Sequence, residues 1–417
     1  MNILAPRSDT TDNIYSFSEG KYVAAYFAKA KVESHMYLLT IDELISHKAS
    51  LFRNPTIVIL MFMNTYVLKW LNTCMDIADG NVYLYGLAAR TYESELVNTY
   101  PSLKIIKEDY LSDLFDEIVQ SKDFMENYLK YDSHEMLSLP IIPIISSCGC
   151  YGQCRFCAVA RFRKKVVQRT ADDIFREIKH YYSLGKYRFY FADSCFINNS
   201  AVSKERARTL AQLIVSSKMK IRFQIETRAD CLDETTLSLL KEAGLRNVFL
   251  GIENFDNRVL RRFGKQIDSE QNLNAIKLLE RMSISSTLSL ILFDPFTTCD
   301  EIRKNIQIIL DNGIYKHINI MGIFRRMVVL PNSNLYTAVK ADVEKYDDEL
   351  PDWYAEAYYY LIENAEVREF ERKLYKQYSI WKRKIDNQIE SIQSIKERNE
   401  FRNKQKELFL KEIMIYL

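Results

Sequence analysis

Cys148-Gly149-Cys150-Tyr151-Gly152-Gln153-Cys154-Arg155-Phe156-Cys157 puts four of the chain's eight cysteines into ten residues. Read back from Cys157, three of them make a C-x3-C-x2-C spacing: Cys150, Cys154 and Cys157. That spacing lets one loop set three thiolates around one face of a cubane iron–sulfur cluster and leaves the fourth iron open to a small-molecule ligand. An open iron points to a catalytic cluster, not a sealed electron-transfer centre. Structural zinc would bring a fourth ligand, usually a second C-x2-C or H-x3-H pair, and no such spacing follows. Disulfides are not expected, because no secretory signal opens the chain and Cys74, Cys195, Cys231 and Cys299 stand singly. Cys148 completes no part of the x3–x2 pattern and reads as a strand-end residue.

Composition bounds the rest. A chain of 417 residues, 47% hydrophobic and 27% charged, buries one large core or two. With 57 basic against 55 acidic side chains the net charge is +2, so nothing global selects for nucleic acid or an anionic membrane. The longest apolar stretch, residues 56–71, is interrupted by Asn64 and Lys69 and is too short to span a membrane. Unpaired cysteines and an oxygen-sensitive cluster both suit a reducing cytoplasm.

Outward from the cysteines the chain falls into four parts. Residues 1–15 are polar, without periodicity, and read as a loose N-terminus. Over 16–135, helices and short apolar strands alternate (strands at 36–39, 56–63, 82–86 and 103–106), which predicts a small parallel, Rossmann-like domain. No G-x-G-x-x-G occurs in it, so a dinucleotide is not indicated. Over 138–335 the apolar strand at 141–145 delivers the cysteine loop, and five further strands are expected at 187–191, 221–225, 247–251, 287–293 and 317–323, each preceded by a helical pattern. Six β/α units predict a partial (β/α)6 TIM-like barrel, whose active site lies at the C-terminal ends of its strands. Residues 336–417 are charged and read as a helical appendix packed on the barrel through Trp353, Tyr358 and Trp381. They contain no cysteine, which excludes an auxiliary cluster there.

These features together resemble the radical S-adenosylmethionine superfamily, and within it the group with an N-terminal cobalamin-binding domain. Ser147–Cys157 looks like that group's GC-x3-C-x-FC loop. Phe191-Ala192-Asp193-Ser194-Cys195-Phe196 is similar to its F-x-D-x-x-F stretch, Arg228-Ala229-Asp230-Cys231-Leu232 to its R-A-D-x-L run, and Gly251-Ile252-Glu253 to its G-I-E strand. Two departures are visible in the first domain: Tyr85-Gly86 replaces the usual Gly-Gly, and no D-x-H-x-x-G is present to offer cobalt a histidine.

The resemblance implies a [4Fe-4S] cluster on Cys150, Cys154 and Cys157, with S-adenosylmethionine chelating the open iron and being cleaved to methionine and a 5′-deoxyadenosyl radical. It admits cobalamin as a further cofactor. By position it assigns Phe156 to the adenine, Asp193 to the methionine ammonium, Arg228 to the methionine carboxylate and Glu253 to the ribose. The polar residues equally suit salt bridges across a barrel mouth, and Phe156 suits simple packing. The basic run Arg161–Lys165 would place positive charge above the site. The implied substrate is an unactivated carbon of a peptide or natural-product precursor, and the electron donor a reductase, flavodoxin or ferredoxin. With cobalamin the favoured reaction is methyl transfer, and without it another radical reaction. A tRNA methylthiotransferase would bring three more upstream cysteines, where only Cys74 stands. A non-catalytic cluster scaffold is the remaining alternative.

Overall fold

The computed structural model describes residues 1–7, 13–78, 80–107, 128–129, 137–163, 165–330, 335 and 360–417. Two compact units divide it: Met1–Gln153 with Cys157–Val248 and Leu330–Ser333, and Cys154–Phe156 with Phe249–Val329 and Asn334–Leu417.

The first unit opens with a five-stranded sheet of β1 (Asn2–Pro6), β2 (His35–Leu39), β3 (Thr56–Ile59), β4 (Val82–Tyr85) and β5 (Lys104–Ile105), in the order β2-β1-β3-β4-β5 and parallel throughout. Residues 2–6 correct the expectation of a loose N-terminus. Ile3, Leu4 and Ala5 are fully buried between β2 and β3, so a short apolar run buried on both faces becomes the middle of a parallel sheet. Helices Ile41–Leu51 and Thr65–Ile77 start where Thr40 and Asn64 accept backbone N–H groups, and Thr40 closes a reciprocal box with Glu43. The sequence also predicts a helix over 111–130, most of which lies outside the described residues.

Further along the same unit are β6 (Ile142–Ile144), β7 (Ser147–Cys148), β8 (Val167–Gln168), β9 (Arg188–Phe191) and β10 (Arg222–Arg228), followed by β11 (Leu245–Glu253), which carries the chain into the second unit. β6, β9 and β10 are parallel neighbours, while β7 and β8 form a small antiparallel pair flanking the cysteine loop. Helices Ala171–Ser183, Ala201–Ser216 and Glu234–Ala243 alternate with these strands, the arrangement of the expected partial barrel. The N-terminal helix Asn13–Lys29 is fastened to β6 and its neighbours by buried polar groups. The Tyr22 hydroxyl donates to the Ile145 carbonyl at 2.8 Å, and the Lys21 ammonium donates to the Tyr181 hydroxyl at 2.8 Å over the Tyr128 ring.

In the second unit the end of β11 neighbours β12 (Ser285–Leu290), and helices Asn257–Arg262, Ser269–Arg281 and Cys299–Asp311 follow the β/α alternation. The sixth strand expected at 317–323 does not form. Ile314–His317 is a 3-10 turn and Ile320–Ile323 a short helix, beside a single parallel bridge between Phe293 and Arg326. The long helices Ala365–Ile389 and Ile395–Ile413 are the expected C-terminal helices, and the first of them packs Phe370 against Phe293. Arg326 donates to Glu371 at 2.7 Å and to the Tyr360 carbonyl at 2.7 Å, and the Tyr360 hydroxyl donates back to the Phe293 carbonyl. Trp353 and Tyr358 lie outside the described residues. Among the described residues no helix is long and apolar enough to cross a membrane.

Candidate cluster and cofactor site

The cysteine loop is built around a backbone turn that only glycine accepts. Gly149 has φ +85°, and a Cβ there would stand 2.1 Å from the Lys165 carbonyl oxygen and 2.8 Å from that of Arg163. The next residue, Cys150, donates its N–H to the Arg163 carbonyl at 3.3 Å, so the two limbs of the loop are stitched together behind the first thiol. Cys150, Cys154 and Cys157 are half-buried, whereas Cys148 is buried within β7. The Gly152 N–H points at the Cys150 sulfur at 3.4 Å, a contact of the kind that tunes a cluster's potential. Gly149→Ala is expected to cut iron content after reconstitution to less than half that of the parent, read by iron assay, because the carbonyls it would strike are backbone and cannot swing away.

Asp193, just after β9, is buried and faces the start of that loop. Its carboxylate accepts from the N–H of Ser146 at 2.7 Å, from the N–H of Ser147 at 2.9 Å and from the Ser146 hydroxyl. Burial pushes its pKa up, opposed by the Arg206 guanidinium. Arg206 itself donates to the Ser146 carbonyl and to the Phe196 carbonyl. The structure therefore places the residue assigned to the methionine ammonium at the root of the cluster loop.

Arg228 ends β10 and lies on the cluster loop. Its Nε donates to the Tyr151 hydroxyl at 3.1 Å and to Asp230 at 3.0 Å, and the guanidinium stacks 5.0 Å over the Tyr151 ring. A Cβ on Gly152 would stand 2.7 Å from its Nη1, so glycine there admits the guanidinium to within contact of the loop backbone. Two residues without an assigned role join this patch. The Tyr151 hydroxyl meets the Cys231 sulfur at 3.0 Å, and the Cys195 thiol, buried after β9, donates to the Ile197 carbonyl at 3.0 Å. The Cys195 thiol is pushed up, chiefly by the neighbouring Cys150 and Cys231 and by burial, and that of Cys231 is lowered, chiefly by Cys195. Both cysteines stand singly in the sequence, and Cys231 reaches the cluster loop through the Tyr151 hydroxyl.

In the second unit, Phe156 meets Phe263 edge-on at 5.6 Å, and the Arg155 N–H donates to the Phe263 carbonyl at 2.9 Å. Glu253 ends β11 with φ +67°, an uncommon conformation for a residue with a side chain. Its carboxylate accepts from the Lys265 ammonium at 2.9 Å and the Ser289 hydroxyl at 2.8 Å. Asp294 pairs with Arg262 at 2.7 Å, and Thr298 caps the helix that follows.

Three thiols on one short loop are a soft donor set suited to iron–sulfur ligation. Among the described residues no three Cys, His, Asp or Glu side chains converge as ligands of a single ion. The residues present thus fit a three-thiolate cluster, with a guanidinium beside it to receive a carboxylate.

Residues 144–309 match the radical SAM superfamily. A curated relative, an uncharacterized methyltransferase of Pyrococcus horikoshii, is 27% identical over 43% of this chain and 39% of its own length. The chain thus spans well under half the length of that relative. The cobalamin-dependent radical enzyme OxsB, solved with aqua-cobalamin, superposes with a TM-score of 0.71 at 16% identity over 99% of this chain and 72% of that one. The radical S-adenosylmethionine methyltransferase TsrM of Kitasatospora setae, solved with cobalamin and a [4Fe-4S] cluster, superposes with a TM-score of 0.56 at 14% identity over 75% of this chain and 73% of that one. The cysteine loop, the strand ends around it and these matches make residues 144–309 a radical SAM superfamily domain, within a chain that shares the fold of cobalamin-dependent members.

Proposed function

We propose that the chain is a radical SAM enzyme that methylates an unactivated carbon of a peptide or natural-product substrate with the help of cobalamin. The observation that carries this reading is the glycine-pinned loop of Cys150, Cys154 and Cys157, set in a chain whose likeness to OxsB extends through the N-terminal sheet. When bound, the cluster and S-adenosylmethionine supply a 5′-deoxyadenosyl radical by reductive cleavage, given an electron from a reductase, flavodoxin or ferredoxin. The chain's own residues bind and orient. The three cysteines hold the cluster, the planar fork of Arg228 suits the methionine carboxylate, Glu253 suits the ribose hydroxyls, and Phe156 offers an aromatic edge to the adenine. Asp193 keeps the loop in place. A reducing cytoplasm is the compartment this chemistry needs.

Cobalamin would lie beyond the C-terminal ends of the N-terminal strands, where open α/β sheets bind their ligands. There Met61, Tyr85 and Leu87 are buried apolar side chains. One observation favours a second reading, the same radical chemistry without cobalamin. Those three side chains are buried in one packed core against which Ala158, Val159 and Phe162 also pack. Anaerobic reconstitution with iron and sulfide, followed by S-adenosylmethionine and dithionite, tests both. Formation of 5′-deoxyadenosine is expected, and its absence overturns both readings. A corrin spectrum that survives desalting after incubation with hydroxocobalamin supports the first, and its loss with 5′-deoxyadenosine still formed supports the second.

A further inference from the structure

Between helices Asn257–Arg262 and Ser269–Arg281 the chain makes a turn in which Gly264 and Gln266 both have left-handed backbone, at φ +68° and +58°. The residue between them, Lys265, is thereby turned inward until only 3% of it is exposed, and its ammonium reaches Glu253. Glu253 is itself left-handed, so three such positions surround one buried ion pair. Two of the three carry side chains, and each such position costs on the order of 1–3 kcal/mol unless its surroundings hold it. The same turn also holds the cluster loop: Phe263, two residues before Lys265, takes the Arg155 N–H on its carbonyl and meets the Phe156 ring edge-on. One turn therefore grips both the carboxylate at the end of β11 and the Arg155-Phe156 pair between the second and third cysteines.

We propose that Lys265 is a positioning residue for S-adenosylmethionine, holding the Glu253 carboxylate in one rotamer while its turn fixes the Arg155-Phe156 backbone of the cluster loop. The proposal rests on the radical SAM reading of the site. Without the ammonium, Glu253 keeps the Ser289 hydroxyl as its remaining side-chain donor among the described residues, and its left-handed backbone loses the partner that holds it. Lysine here acts as a compact point charge, and arginine retains the charge on a longer fork.

The test uses the reconstituted holoprotein and S-adenosylhomocysteine as probe, with binding followed by calorimetry and iron content measured in parallel. Lys265→Met is expected to weaken binding about tenfold with iron content at the parent level, and Lys265→Arg to bring affinity back to within about threefold. The electron paramagnetic resonance signal of the reduced cluster is expected to need correspondingly more S-adenosylmethionine to change in Lys265→Met. Ser289→Ala, which leaves the ion pair intact, weakens binding about threefold and decides the matter if Lys265→Met does not fold. Unchanged affinity in Lys265→Met overturns the proposal whether or not its melting temperature falls, and if Lys265→Met does not fold, unchanged affinity in Ser289→Ala overturns it instead. A parent protein that holds cluster iron yet binds no probe overturns the radical SAM reading instead, so the two failures are distinguishable.

Discussion

Asp193→Ala is expected to empty the cluster loop of iron before it alters any S-adenosylmethionine contact. The carboxylate is the acceptor for two buried backbone N–H groups and a hydroxyl at Ser146 and Ser147, immediately ahead of the cysteines. Each buried N–H left without a partner costs about 1–3 kcal/mol, so the pair alone amounts to roughly 2–6 kcal/mol. Arg206 would lose its neighbouring anion as well. Iron after reconstitution should fall below half the parental level, with a lower melting temperature, while Asp193→Asn, which keeps one acceptor oxygen, should fall between the two. If Asp193 acted only on the methionine ammonium, the alanine variant would keep full iron and lose ligand affinity alone. The charge has its own pH signature. The folded pKa is raised by burial, so the folded state holds the proton longer than the unfolded chain, and stability falls as pH rises from the unfolded pKa through the folded one.

Glu19→Ala should be comparably damaging from the other side of the loop. Glu19, on the N-terminal helix, is paired with the Arg163 guanidinium, and both side chains are at least nine-tenths buried. Truncating one partner removes the carboxylate that neutralises a buried cation, and breaking a buried pair in this way costs about 3–5 kcal/mol, whereas replacing both with apolar groups of similar size is often close to neutral. The expected result is a large loss of stability in urea for Glu19→Ala, with loss of iron because the Arg163 carbonyl receives the Cys150 N–H. In Glu19→Met/Arg163→Met most of that loss should be recovered. If the double variant is no more stable than the single one, charge compensation is not what the pair contributes. This pair also changes the reading of the basic run Arg161–Lys165: one of its charges is neutralised inside the fold and does not face a substrate.

What could be read from sequence follows how local each feature is. Cys150, Cys154 and Cys157 are proposed as ligands from spacing alone, and the strand ends at Asp193, Arg228 and Glu253 followed from β/α phase. The strand Asn2–Pro6 was hidden because it is five residues long, ends in proline and has both partners far away in the sequence. The expected strand at 317–323 was an apolar run too short for periodicity to separate strand from buried helix, and Ile318 and Ile320 are indeed buried, but within a turn and a single helical loop. Lys265 sits in the charged run Arg261-Arg262-Phe263-Gly264-Lys265, where a lysine ordinarily faces solvent. Gly264 was the only local hint that the chain turns there.

The missing sixth strand has a consequence for how the second unit avoids self-association. β12 is the last strand of its sheet, and a strand in that position offers unpaired backbone to any other chain. The turn and short helix at 314–323 lie along it, with Ser286 bonded to His317 at 3.0 Å, and Arg326 and Phe293 extend the cover to the helix bearing Glu371 and Phe370. The C-terminal helices therefore act as part of an edge guard. A chain shortened to the superfamily-matched region would expose Phe293 and the flank of β12 together, and should precipitate or form strand-paired aggregates at concentrations where the full chain stays dispersed.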